Sequence, residues 1–233
     1  MKQKETMSNT PSDSNLDDLM DEHFASSFDT PLRADAFEMD DELKKELIAK
    51  HFKEIMQILG LDLTDDSLAG TPRRVAKMYV EEVFSGLNPK NKPKARLFEN
   101  KFGYDQMLVE KDITFYSHCE HHFVPIYGKA HVAYISSGEV IGLSKINRIV
   151  QYYSKRPQVQ ERLTVQIANE LKDVLKTEDV GVVIDANHMC VSSRGVGDTN
   201  SKTGTAHFSG KFLEEKYKNE FLNYINSPGS NQI

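Results

Sequence analysis

The sequence predicts an α+β fold built on a largely antiparallel sheet, and three observations lead there. β-rich segments near residues 111–117, 124–135, 139–143, 180–192 and 203–212 surround two adjacent apolar-striped helices, instead of alternating with helices one for one. At 233 residues, 39% of them hydrophobic and 27% charged, the chain can bury a sizeable core and is ordinary in composition for a globular protein. It carries no glycine triplet, no sustained heptad and no internal repeat, and no apolar run nears the ~18 residues that a membrane span requires.

The first element expected is a helix from Asp41, where Leu43, Leu47, Ile48, Phe52, Ile55 and Leu59 recur at helical spacing and Gly60 supplies a stop. Thr71 and Pro72 read as the N-cap and first residue of a second helix, striped by Val75, Met78, Tyr79 and Val83. Their short connection predicts an antiparallel pair, and residues 88–94 read as loop. Among the strands, Ser136-Ser137-Gly138 forms a tight turn joining 124–135 to 139–143. A helix after Ser144 presents Ile146, Ile149, Val150 and Tyr153 on one face. Another after Pro157 carries Val159, Leu163, Ile167, Leu171 and Leu175 at four-residue intervals. The expected organisation is an acidic tail over 1–40, disordered or loosely docked, then a helical region over 41–95. The α+β domain follows over 96–226, with a flexible C-terminus over 227–233.

Charge and cysteine content bound the function. The net charge is −6, from 29 basic and 35 acidic residues, which at face value argues against an anionic ligand such as nucleic acid. Ten acids and three bases fall within residues 1–40, leaving 25 acids against 26 bases beyond. The acidity therefore belongs to the tail. Two cysteines are too few for a disulfide scaffold and point to a reducing compartment. The N-terminus has lysines but no apolar stretch behind them, so a cytoplasmic protein is expected, with no membrane contact.

Chemistry-bearing residues concentrate in three places. His118-Cys119-Glu120-His121-His122 contains a C-x-x-H spacing that lets one turn of chain present Cys119 and His122 to a borderline-soft divalent cation; the plain alternative is a polar surface turn. His188-Met189-Cys190 closes an apolar run, and on a strand residues two apart share a face, so His188 and Cys190 are expected to project together. Cys119, His122 and Cys190 would form a Cys₂His set, one ligand short of a closed structural zinc site, with His121 and His188 as nearby proton carriers. The third place is the helix pair. Ser144, Lys145 and Arg148 could form an anion site at a helix start, or an ordinary solvated face. Gln160 beside Glu161 could read a hydrogen-bonding heterocycle, although an acid in a first helical turn is also expected from the helix dipole. From Ser144 to Arg162 there are five bases against one acid, so a polyanionic nucleotide is compatible with this chain.

The runs CEHHFVPIYGKAHVAYI, VIGLSKINRIVQYYSKRPQVQERLT and HMCVSSRGV resemble GTP cyclohydrolase I, as does TPRRVAKMYVEEVFSGL; the likeness extends from about Asp41 to Phe212. The resemblance implies a tunnelling fold (T-fold): a four-stranded antiparallel sheet packed by two helices, preceded by the helix pair. It implies hydrolytic opening of the guanine imidazole ring of GTP, release of carbon 8 as formate, and formation of 7,8-dihydroneopterin triphosphate, the entry to folate and related pterins. Carried over by position, Cys119, His122 and Cys190 match zinc (Zn²⁺) ligands, and His121 and His188 match the proton-transfer histidines. Gln160 and Glu161 match the residues that grip guanine, Ser144 a serine near the ribose, and Lys145, Arg148, Arg194 and Arg74 a triphosphate clamp. A homo-oligomer is implied as well, a decamer of two stacked pentamers with active sites at subunit interfaces, with no nucleic acid partner.

Glu161 could accept from the N1–H and exocyclic amine of guanine together, a match that adenine lacks. After Arg194-Gly195-Val196 the chain departs from the family pattern, reading GDTNSKTGTAHFSGKF, with His207 where a small residue is more usual. Two other classes remain open on the residues. One is a pterin- or purine-binding protein with a structural metal, which has no need of His121 and His188. The other is a cysteine-nucleophile enzyme, which metal-bound thiolates would disfavour.

Overall fold

The computed structural model describes residue 27 and residues 29–227; most of the expected acidic tail and all but the first residue of the expected C-terminal tail lie outside the described residues. Helix α1 (Asp41–Ile58) starts where Asp40 accepts a hydrogen bond from the Leu43 amide, with Asp41 and Glu42 in its first turn, and ends before Gly60 at φ 80°. A short helix α2 (Asp66–Ala69) leads into α3 (Thr71–Lys77), which continues as a π-helical turn through Val83. The cap of α3 is Gly70, so Thr71 opens the helix and Pro72 sits one place later than the sequence pattern indicates.

Strands β2 (Met107–Cys119), β3 (Pro125–Ile135), β6 (Val180–His188) and β7 (Thr203–Phe208) form an antiparallel array, and the two-residue strand β5 (Pro157–Gln158) adds to β2 in parallel. The remaining strands, β1 (Leu97–Glu99) and β4 (Glu139–Ile141), pair with each other. The hairpin expected across residues 136–138 is therefore not a ladder: the chain turns there, and β4 leaves β3 to join β1.

Helices α4 (Leu143–Ser154) and α5 (Gln160–Leu175) cover one sheet face. Ile146, Ile149, Val150, Leu163, Ile167 and Leu171 meet Phe115, Ile126, Val132, Val182 and Ile184 in the main core. A second cluster lies on the opposite face, at the far end of the strands. There Met107, Ala133 and Ile135 meet Phe212 and Phe221, the latter from the C-terminal helix. That helix, α7 (Glu215–Asn226), has no counterpart in the expected elements, although Tyr217, Phe221 and Ile225 recur every four residues.

A β-bulge explains why β2 is longer than its alternation indicates. Pairing with β3 slips between Glu110 and Ile113, and Asp112 takes φ 60° with its amide donating to His131 Nδ1. Before the slip Met107 and Val109 face the C-terminal helix; after it Ile113 and Phe115 face α4 and α5. One inserted residue inverts the faces and breaks the period-2 pattern.

Candidate active site

Both β2 and β6 run antiparallel to β3, so their C-terminal ends emerge at the same end of the sheet. The register carries Ser117 opposite Ile126, and Ile126 opposite His188. Cys119 thereby arrives beside the residues following His188. The strand expected over 180–192 stops at His188, and Met189–Ser192 form the single helical turn α6. Cys190 thus reaches the site from a turn, not from a shared strand face.

Cys119, His122 and Cys190 come together with ligand atoms all within 4.8 Å of one another, the candidate metal group among the described residues. The turn after Cys119 is closed by the Cys119 amide donating to Val124 O (2.9 Å) and the Phe123 amide donating to Cys119 O (2.8 Å). It forces Phe123 to φ 55°, an uncommon conformation for a bulky residue, and an edge-on contact with Phe84 supports the ring. His122 Nδ1 faces Cys119 Sγ at 3.8 Å, while Arg194 Nη1 donates to its Nε2 at 2.9 Å. His121 Nδ1 also lies 3.8 Å from the Cys119 sulfur. Burial first, and the neighbouring Cys119 second, push the Cys190 thiol up. Two adjacent sulfurs and an imidazole are a donor set that a cation would relieve, and they fit Zn²⁺ in chemistry and number.

His188 sits at the back of the site, its ring Nε2 2.7 Å from Gln160 Oε1. The Gln160 amide nitrogen donates to Ile184 O (3.0 Å), Thr203 O (2.8 Å) and Thr205 Oγ1 (3.2 Å). Two backbone carbonyls can only accept, so the orientation of the amide is fixed and its oxygen faces His188. His188 must donate, which places the proton of the neutral ring on Nε2 and leaves Nδ1 with a lone pair. Burial lowers the His188 pKa, with the Glu161 carboxylate opposing. Gln160 is 1% exposed with its amide engaged inside, whereas Glu161 is exposed beside it.

The cationic residues are not gathered around this set. Lys145 and Arg148 line a cavity of about 300 Å³ with Lys94 and Lys155, and its walls include none of Cys119, His122 or Cys190. Ser144 is the second residue of α4 and exposed. Arg74 Nη2 donates to Ser67 O and Thr71 Oγ1, at the α2–α3 junction. Of the expected clamp, only Arg194 touches the metal group. Sequence patterning assigned no role to Glu120 or Arg162, yet both terminal nitrogens of the Arg162 guanidinium donate to the Glu120 carboxylate beside the candidate metal set. The excess of bases around Arg162 was the available signal, since a buried base needs an acid from elsewhere in the chain.

The family model of GTP cyclohydrolase I matches residues 48–226. The chain belongs to the GTP cyclohydrolase I family. It is 61% identical over 210 residues to a GTP cyclohydrolase 1 of Flavobacterium johnsoniae, covering 90% of this chain and 94% of that one. It is 55% identical over 202 residues to GTP cyclohydrolase 1 of Erwinia tasmaniensis and of Escherichia coli, covering 86% of this chain and 91% of each. Among solved structures, an archaeosine synthase QueF-like protein in the apo form aligns with 45% of this chain and 93% of its own at 19% identity and TM-score 0.37. As a GTP cyclohydrolase I family member the chain is an enzyme, and GTP is the substrate of its family. No helix among the described residues is long and apolar enough to cross a membrane.

Proposed function

We propose that this enzyme is a zinc-dependent, cytoplasmic hydrolase that opens the imidazole ring of GTP, releases formate and forms 7,8-dihydroneopterin triphosphate for folate or related pterin synthesis. The observation that carries this reading is the convergence of Cys119, His122 and Cys190 with His121 and His188 at one end of the sheet. Zn²⁺ held by the three ligands supplies a Lewis acid and a water nucleophile near neutral pH, the pKa of water falling from about 16 to about 7.

The chain's own residues then divide the work. His188 holds its proton on Nε2 against Gln160, leaving Nδ1 free to exchange a proton with the substrate. His121, with Nδ1 3.8 Å from the Cys119 sulfur, acts as the second proton carrier. Glu161, exposed next to Gln160, accepts from the N1–H and amine of guanine, while Gln160 supports from behind. Ser144 lies near the ribose. Lys145, Arg148, Arg194 and Arg74 hold the triphosphate, and the absence of the metal ligands from the Lys145–Arg148 cavity favours sites shared between copies; the T-fold decamer of two stacked pentamers is what the family resemblance implies for that assembly.

Purified, zinc-loaded protein incubated with GTP should release formate and develop pterin fluorescence. Absence of both would return the chain to the alternative of a nucleotide-binding relative with a structural metal.

A further inference from the structure

We infer that Glu120, clamped by Arg162, is a positioning residue for His121, and that the N-terminal segment at Ser27 and Asp29 braces this clamp from outside. Glu120 leaves the turn between Cys119 and His121, and its own amide donates to Gln158 O at 3.0 Å. Both carboxylate oxygens take bonds from Arg162, whose side chain is 4% exposed against 17% for Glu120. Oε1 of the same carboxylate faces His121 Nε2 at 3.7 Å, while the other ring nitrogen faces the Cys119 sulfur. The imidazole thus stands between a fixed oxygen and a fixed sulfur.

The brace lies on the outer side of the clamp. Arg162 Nε donates to Ser27 O at 2.9 Å, and one turn along α5 Gln166 Nε2 donates to Asp29 Oδ1 at 2.6 Å. Arg156 Nη1 also donates to Asp29, at 3.1 Å, and stacks on Tyr152 and Tyr153. Every nitrogen of the Arg162 guanidinium is therefore engaged. A buried ion pair is weak support for stability, because desolvation offsets much of the attraction. Its place beside the reacting histidine accords with a geometric role, since a misplaced general acid or base forfeits much of its ~10²–10⁴-fold contribution.

This inference rests on the ring-opening reading. The test uses the zinc-loaded, full-length enzyme and reads kcat and KM for GTP, zinc per chain, melting temperature, and the crystal structure of each variant. Glu120→Ala should lower kcat at least ~10-fold with KM and zinc content little changed and the His121 ring displaced. Arg162→Met should act in the same direction and Arg162→Lys recover part of the loss. The double variant should be no worse than Glu120→Ala alone, because the two act as a unit. If Glu120→Ala folds poorly, Glu120→Gln, which keeps one oxygen for Arg162 but not the charge, should fold with a lowered melting temperature and show a smaller kcat loss at full zinc content. Unchanged kcat, zinc loss parallel to activity, or independent effects of the two sites would overturn the inference. A wild-type enzyme that releases no formate would instead overturn the reading beneath it, and the inference with it.

Discussion

At the scale of single residues, the proposed function divides the site into groups that would hold a metal and groups that would move protons, and substitutions should distinguish them. Cys190→Ser should lose zinc and activity together, measured as metal per chain and formate release. His121→Ala should keep zinc and GTP binding while losing ring opening by roughly 10²–10⁴-fold; loss of metal in that variant would mean the ligand set is wrong. A second residue-scale prediction concerns acid. His131 is buried in β3, and desolvation lowers its pKa; Asp112 and Asp185 oppose that shift and Lys111 and Lys129 assist it. The folded state refuses a proton that the unfolded chain accepts below about pH 6.5, so the contribution is intact above that value. It is lost as the pH falls towards the folded value. Denaturant titrations at pH 7.5 and pH 5.5 should show lower stability at the acid end, and His131→Gln should shrink the difference, leaving the part owed to His118, His188 and His207, whose pKa values burial also lowers.

At the scale of elements, close backbone approaches dominate. A Cβ on Gly86 would stand 2.0 Å from Tyr152 O and 2.8 Å from Lys155 O, while the Gly86 amide donates to Lys155 O and its carbonyl accepts from Arg156 Nε. This glycine fastens the segment after α3 to the end of α4. Gly86→Ala should destabilise by about 3 kcal/mol or more, read from urea unfolding, because the opposing atoms are backbone and cannot swing aside. The C-terminal helix offers a contrasting case. Phe221 is wholly buried at the end of the sheet remote from Cys119, so Phe221→Ala should cost about 3–5 kcal/mol and leave the ratio of zinc to folded chain unchanged.

At the scale of the whole molecule, two surfaces lack partners among the described residues. Leu43, Leu47 and Ile55 of α1 repeat at helical spacing and remain exposed, although the same pattern read from sequence calls for burial. The Lys145–Arg148 cavity likewise contains no part of the metal group. Assembly would cover the first surface and complete the second. The shared-site proposal predicts that Cys119→Ser subunits and Lys145→Ala/Arg148→Ala subunits, each inactive alone, recover formate release when unfolded together and co-assembled. Sedimentation should show the same particle mass for both variants; matched masses without recovery would place the cations and the metal in one protomer.

Local patterns carried the parts of this protein that depend on residues near one another in the chain. The stripes of α1, α4 and α5, the apolar run of β6 and the spacing of Cys119 and His122 could all be read from sequence, because periodicity and one-turn spacing are properties of the backbone itself. The two cysteines, 71 positions apart in sequence, lie in one candidate metal group. Tertiary structure decided what no local period encodes. The bulge at Asp112 reverses the faces of β2, β4 pairs with β1, and Cys190 arrives on a helical turn. Gln160, expected at the substrate, turned inward because two backbone carbonyls from β6 and from the start of β7 claim its amide. Pairing partners 24 to 43 residues apart are chosen by packing and by the need to satisfy buried polar groups. Only the folded chain determines which groups those are.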